Sequence, residues 1–101
     1  MSISATVAGN TATISMTGRF DFSVQRAFKE AYAPQLINPS VSAVEVNLAG
    51  VEYLDSSALG MLLMLRERAA AAGKSLKLCR PSASVTQILE IANFSKLFTM
   101  A

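Results

Sequence analysis

Asp55-Ser56-Ser57 sets a carboxylate beside two hydroxyls, immediately before the apolar run Ala58–Leu65. Residues of these types at the start of a helix meet backbone N–H groups that lack intrahelical partners, at the positive end of the helix dipole. They can serve as an N-cap, hold an anion, or carry a covalently attached phosphate. Asp and Ser are ordinary capping residues, so the tripeptide alone points first to a cap. A second carboxylate, Asp21, follows Gly18-Arg19-Phe20. A serine nucleophile would need an adjacent base, and the chain contains no His. The nearby candidates are Asp55, Asp21 and Glu52, none of which readily replaces an imidazole, so no catalytic residue is assigned. With no His and a single cysteine, Cys79, neither a disulfide framework nor an ordinary zinc site is available. No metal and no cofactor are expected.

The elements that must position these residues follow from periodicity. The chain has 101 residues, half of them apolar, which suits one globular domain over 1–101. Ile3, Ala5, Val7 and then Ala12, Ile14, Met16 alternate about Gly9-Asn10, a hairpin signal, with Gly18 ending the second strand. Arg19–Phe22 reads as a connection and Ser23 as an N-cap. Val24, Ala27, Phe28 and Ala31 recur at helical spacing, and Pro34 should end that helix near Ala33. Val44, Val46 and Leu48 alternate with Glu45 and Asn47 in a further strand, followed by a short loop. A helix from Ser56 to Ala72 is stopped by Gly73. Leu76–Cys79 is a strand, and Pro81-Ser82-Ala83-Ser84 opens a third helix that carries Val85, Ile88 and Leu89. Asn93 sits where a left-handed residue belongs, and Phe94, Leu97 and Phe98 form a last strand or packed tail.

The order β-β-α-β-α-β-α-(β) is an α/β chain: a mixed sheet of four to five strands, an antiparallel hairpin and then parallel strands, with helices packed over it. Sites in such sheets lie beyond the C-terminal ends of the parallel strands, where Asp55 and Ser56 fall. The net charge is +2, with no run of cations, so no nucleic-acid surface is expected. No apolar run reaches membrane length, and MSISATVAGN lacks the features of an export signal. The expectation is a cytoplasmic protein without membrane insertion.

Three stretches in this order resemble the STAS domain of bacterial anti-sigma factor antagonists, in the phosphorylatable branch. The first is the apolar strand Val46-Asn47-Leu48, then Val51 and Tyr53, leading into Asp55-Ser56-Ser57-Ala58-Leu59-Gly60. The second is Gly18-Arg19-Phe20-Asp21. The third is Val85, Ile88-Leu89, Ile91, Phe94, Lys96-Leu97-Phe98. Together they cover nearly the whole chain. Ala58 departs from the family's usual glycine, which firms the first helical turn. The chain also stops at Ala101, where many relatives continue into a further helix, a difference that bears on the binding surface.

The resemblance implies a switch. In the family, the serine directly after the motif's Asp, here Ser56, is phosphorylated by a partner that is both serine kinase and anti-sigma factor. The unphosphorylated antagonist binds that partner and frees the sigma factor; the phosphorylated form lets go, and a phosphatase resets it. The implied protein is not an enzyme and is monomeric when free. Partner contacts are expected at Asp21, Asp55, Ser57, Met61 and Met64. Asp55 can equally be the cap and Asp21 a turn residue, and Ser57 fits a first-turn position better than a second phosphosite. On a helical wheel Met61 and Met64 lie opposite Leu59 and Leu63, on the side of Glu67 and Arg68, which suggests an exposed, adaptable methionine pair. Cys79 is expected to be a small buried hydrophobe.

Other classes fit less well. A phosphoaspartate receiver opens on a strand ending in an acidic pair, whereas the first strand here ends in Ala8-Gly9-Asn10. A lipid-transport STAS subunit tends to carry a different hydroxyl motif. A STAS adaptor with a non-sigma output, such as biofilm, motility or a transport complex, or a constitutive scaffold, is the alternative.

Overall fold

The computed structural model describes residues 2–100, apart from the side chain of Ser95. Five strands and three helices alternate: β1 (Ser2–Ala8), β2 (Thr11–Phe20), α1 (Gln25–Leu36), β3 (Ala43–Leu54), α2 (Ser56–Ala71), β4 (Ser75–Cys79), α3 (Ala83–Ile91) and β5 (Thr99–Met100). Short 3-10 turns at Phe22–Val24 and Phe94–Lys96 precede α1 and β5. The strands lie in sequence order, β1-β2-β3-β4-β5. β1 pairs antiparallel with β2 about the positive-φ turn at Gly9, and the other three pairings are parallel.

Each parallel pair is joined through one helix. With the strands in sequence order, right-handed crossovers place all three helices on one face of the sheet. Burial follows that geometry. Ala12, Ile14 and Met16 of β2, Val44, Val46 and Leu48 of β3, and Leu78 of β4 are enclosed beneath the helices. Their alternate neighbours Thr13, Ser15, Glu45, Asn47 and Lys77 are only partly covered or exposed on the bare face. Helix α2 lays Ala58, Leu62, Leu65 and Ala69 on the sheet. Phe28 of α1 packs between Phe20 and Tyr32, at centroid distances of 5.0 and 5.2 Å. Each fully buried side chain of this size contributes about 1.5–3 kcal/mol of transfer free energy.

Several boundaries differ from the sequence expectation. Gly18 does not end β2; it lies inside the strand with φ +89°, at a register shift against β3. The segment after Leu48 is no loop. β3 continues to Leu54, with one extra residue between the pairs Ser15–Asn47 and Thr17–Gly50, and another between Gly18–Val51 and Arg19–Tyr53. Each extra residue is a bulge that hides the alternation without ending the pairing. Gly50 is required here, because a Cβ would lie 2.7 Å from Cγ2 of Thr17 and 2.9 Å from the Met16 carbonyl oxygen.

Helix α1 passes through Pro34 to Leu36. Proline removes one hydrogen bond, and the core packing of Ala33 and Leu36 on either side outweighs that loss. Ala27, placed on the apolar stripe by its spacing, is exposed. Ser82 caps α3 by accepting from the Val85 N–H at 3.3 Å, and Asn93 takes the left-handed conformation at φ +61°. Phe94 and Phe98 stack at 5.1 Å and bury the tail.

Candidate functional site

The site forms where β2 and β3 end side by side. Phe20 and Leu54 are the last register pair, and both side chains are buried. The following residues, Asp21 and Asp55, therefore emerge together at the C-terminal edge of the parallel strands. The Asp55 N–H donates to the Phe20 carbonyl at 3.3 Å, which binds the two strand exits to each other.

Asp55 then turns the chain into α2. Its backbone is extended, and its Oδ1 accepts from the Ala58 N–H at 2.8 Å while its carbonyl accepts from the Leu59 N–H at 3.1 Å. Asp55 is thus a working N-cap. Ser56, the first residue of α2, is exposed, and the structure gives its hydroxyl no hydrogen-bond partner among the described residues. Ser57 is half-buried and Ala58 fully enclosed.

Asp21 caps the 3-10 turn ahead of α1, accepting from the backbone N–H of Ser23 at 3.0 Å and from its hydroxyl. Ser23 is therefore the donor within the turn, not the cap expected from its position. The Ser23 hydroxyl and amide hold the Asp21 carboxyl below the usual carboxylate range; partial burial opposes them, and Arg19 adds a weaker attraction. Arg19 Nε is 3.9 Å from Asp21 Oδ2, and its guanidinium lies over the Tyr53 ring at 4.6 Å from the centroid. These two neighbours were not singled out from the sequence as site residues. The signal available was the parallel pairing of Arg19 with Tyr53, which two bulges conceal.

Met61 corrects the helical-wheel expectation. It is buried, at 8% exposure, whereas Met64 is 46% exposed; Leu59 and Leu63 are half-buried. The wheel treated α2 as a helix with one covered side, but α1 packs alongside it and covers a second. Met61 and Met64 line a groove of about 330 Å³ between α1 and α2, with Phe22, Phe28 and Tyr32 opposite and Ser57 at its head. Cys79 also departs from expectation. It is half-buried on the bare sheet face, and burial first, then the Glu45 carboxylate, push its thiol pKa up.

Among the described residues no group of three or more His, Cys, Asp or Glu side chains could hold a metal ion, and no helix is long and apolar enough to cross a membrane. A family model described as "Mlab, STAS domain" matches residues 3–99. The chain belongs to the STAS family. A STAS-domain containing protein of Pseudomonas aeruginosa (strain UCBPP-PA14) is 42% identical over 93 residues, 92% of this chain and 90% of the relative.

Solved STAS structures share the fold at low identity. A putative anti-sigma factor antagonist of Thermotoga maritima superposes with a TM-score of 0.85 at 16% identity, over 97% of this chain and 84% of that one. The Bacillus cell fate determinant SpoIIAA, in its phosphorylated form, does so at 0.74 and 17%, over 99% and 91%. The antiparallel hairpin, the parallel strands and the three helices of this STAS domain are those that the motif order implied.

Proposed function

We propose that the protein is a non-enzymatic, phosphoserine-gated partner-switching regulator. The unphosphorylated form binds a protein partner of the serine-kinase/anti-sigma type, phosphorylation of Ser56 releases it, and a phosphatase restores binding. The observation that carries this reading is the placement of Ser56. It is the first residue of α2, exposed, and directly follows an Asp whose Oδ1 caps the helix. A kinase can reach the hydroxyl without unfolding the helix.

The physical effect of the modification follows from its surroundings. A phosphate adds about −1.5 to −2 charges at neutral pH. The Ser56 and Ser57 amides, at the positive end of the α2 dipole, tolerate an anion there. Asp55 and Asp21 already place two carboxylates at this end of the sheet. The added charge therefore works against a docked surface through repulsion and desolvation, and the fold is kept. The far-UV circular dichroism of the phosphorylated protein should match that of the unmodified one; loss of helix signal would contradict this mechanism.

The experiment is site-mapped mass spectrometry of the protein recovered from its own host, beside a Ser56→Ala version. A phosphate on Ser56 that disappears in the variant supports the switch. No phosphate under any growth condition, with both versions retaining the same partner, would make Ser56 a first-turn helix residue. The protein would then be a constitutive adaptor in a non-sigma assembly.

A further inference from the structure

The groove between α1 and α2 has four features that the fold alone does not require. Its floor is apolar, made by Phe28, Tyr32 and Met61, and its rims expose Phe22 at 66% and Met64 at 46%. Lys29 of α1 and Arg68 of α2 line it and are exposed. The ion pairs of the described residues are Arg19–Asp21 and Arg26–Glu30, so neither groove cation has a carboxylate partner among those residues. Gly60 also lines the groove, and a Cβ built on it meets nothing within 4 Å. A glycine inside a helix weakens it relative to alanine, and no contact within this chain explains Gly60.

Both helices start from the same end of the sheet and run in the same direction, so the groove follows their axes. Its lining extends from Phe22 to Tyr32 on one side and from Ser57 to Arg68 on the other. At 1.5 Å per helical residue that is a trough of roughly 16 Å, three turns of a helix. Bare backbone at Gly60 allows a close helix–helix approach, while unpaired cations on both walls select carboxylates.

We infer that this groove seats an acidic amphipathic helix of the protein partner, its apolar face against Met61, Met64 and Phe22 and its carboxylates over Lys29 and Arg68. The inference rests on the reading of the protein as a binding module. It adds the surface used and the chemistry of the segment it receives.

The chain contains no Trp, so a tryptophan on a probe peptide reports docking without background. The probe is a synthetic three- to four-turn helical peptide with Leu and one Trp on one face and Glu on the other; its control carries Lys for every Glu. Binding is followed by the blue shift of the peptide's emission. The acidic peptide should bind about tenfold tighter than the basic one, and a Lys29→Glu/Arg68→Glu double variant should reverse that order. Gly60→Leu fills open space without touching the core, so it should leave a folded protein that no longer binds. Gly60→Ala should raise the melting temperature by several degrees while weakening the acidic peptide.

Equal binding of both peptides, no binding of either, or an acidic preference that survives the double charge reversal would overturn the inference. Binding of dodecanoate in place of the peptide would assign the groove to a lipid-like anion. A protein-concentration-dependent doubling of mass abolished by Gly60→Leu would assign it to a second copy of this chain. Either result overturns the acidic-helix occupant. Acidic-peptide binding unaffected by Ser56→Glu supports the groove and takes the phosphate gate away from it. Loss of peptide binding beside a phosphate-dependent partner in the host overturns the groove and leaves the switch standing.

Discussion

The N–H of Asp55 donates to the carbonyl of Phe20 at 3.3 Å, so the residue that caps α2 is tied to the strand residue immediately before Asp21. Two carboxylates far apart in sequence are fixed at one edge of the sheet by a backbone bond. Ser56 follows the cap directly, so the same arrangement places its backbone at the head of α2.

Asp55 should be separable into a structural and an interaction role. Asp55→Ala removes the bond to the Ala58 N–H and should cost about 1 kcal/mol, or a melting temperature lower by about 4–8 °C. Asp55→Asn keeps a capping oxygen and should stay within a few tenths of a kcal/mol of the wild type. Partner binding lost in Asp55→Asn at unchanged stability would mark the carboxylate as a contact; binding retained would leave it a cap.

Asp21 sets an acid-side dependence of stability. Its folded-state pKa lies below its unfolded value, because Ser23 donates to the ionised form. That contribution is complete above the ordinary carboxylate pKa and is lost as pH falls through the lowered one. Urea midpoints measured from pH 6 downward should fall more for the wild type than for Asp21→Asn. An NMR titration of Ser23→Ala should show the Asp21 pKa rising toward its ordinary value. Parallel pH profiles for wild type and Asp21→Asn would contradict the assignment.

The two methionines should behave differently. Met61→Ala opens space in the covered wall of α2 and should cost about 2 kcal/mol or somewhat more. Met64→Ser, on the groove rim, should change stability by no more than about 0.5 kcal/mol. Chemical denaturation of the two variants checks this, and equal costs would contradict the structure.

Gly50 carries the close approach of β2 and β3. Gly50→Ala should destabilise by about 1–3 kcal/mol, since the new Cβ meets Thr17 and the Met16 carbonyl. Thr17→Ser, which lacks Cγ2, should recover part of that loss in the double variant. A neutral Gly50→Ala would mean that the strands have room to separate.

Much of this was legible in the sequence. The hairpin, the parallel strand order, the cap at Asp55 and the left-handed Asn93 follow from local chemistry and periodicity. The second half of β3 did not, because the two bulges interrupt the alternation that marks a strand, so the residues after Leu48 read as a short loop. Gly18 was misread for a related reason: a positive φ inside a strand has the same residue signature as a strand end. Pro34 and Met61 depended on tertiary packing, since the covering of Leu36 and the contact of α1 with α2 appear in neither segment alone. The shared edge of Asp21 and Asp55 was reachable from topology; the cation-π pair Arg19–Tyr53 needed a register that only the structure supplies.

The most direct test of the switch separates the protein recovered from its host into partner-bound and free fractions under native conditions. Phosphate occupancy at residue 56 is then measured in each. The switch predicts phosphoserine at Ser56 in the free fraction and its near absence from the bound one, with Ser56→Ala protein held entirely in the bound fraction. Equal occupancy in both fractions would contradict it.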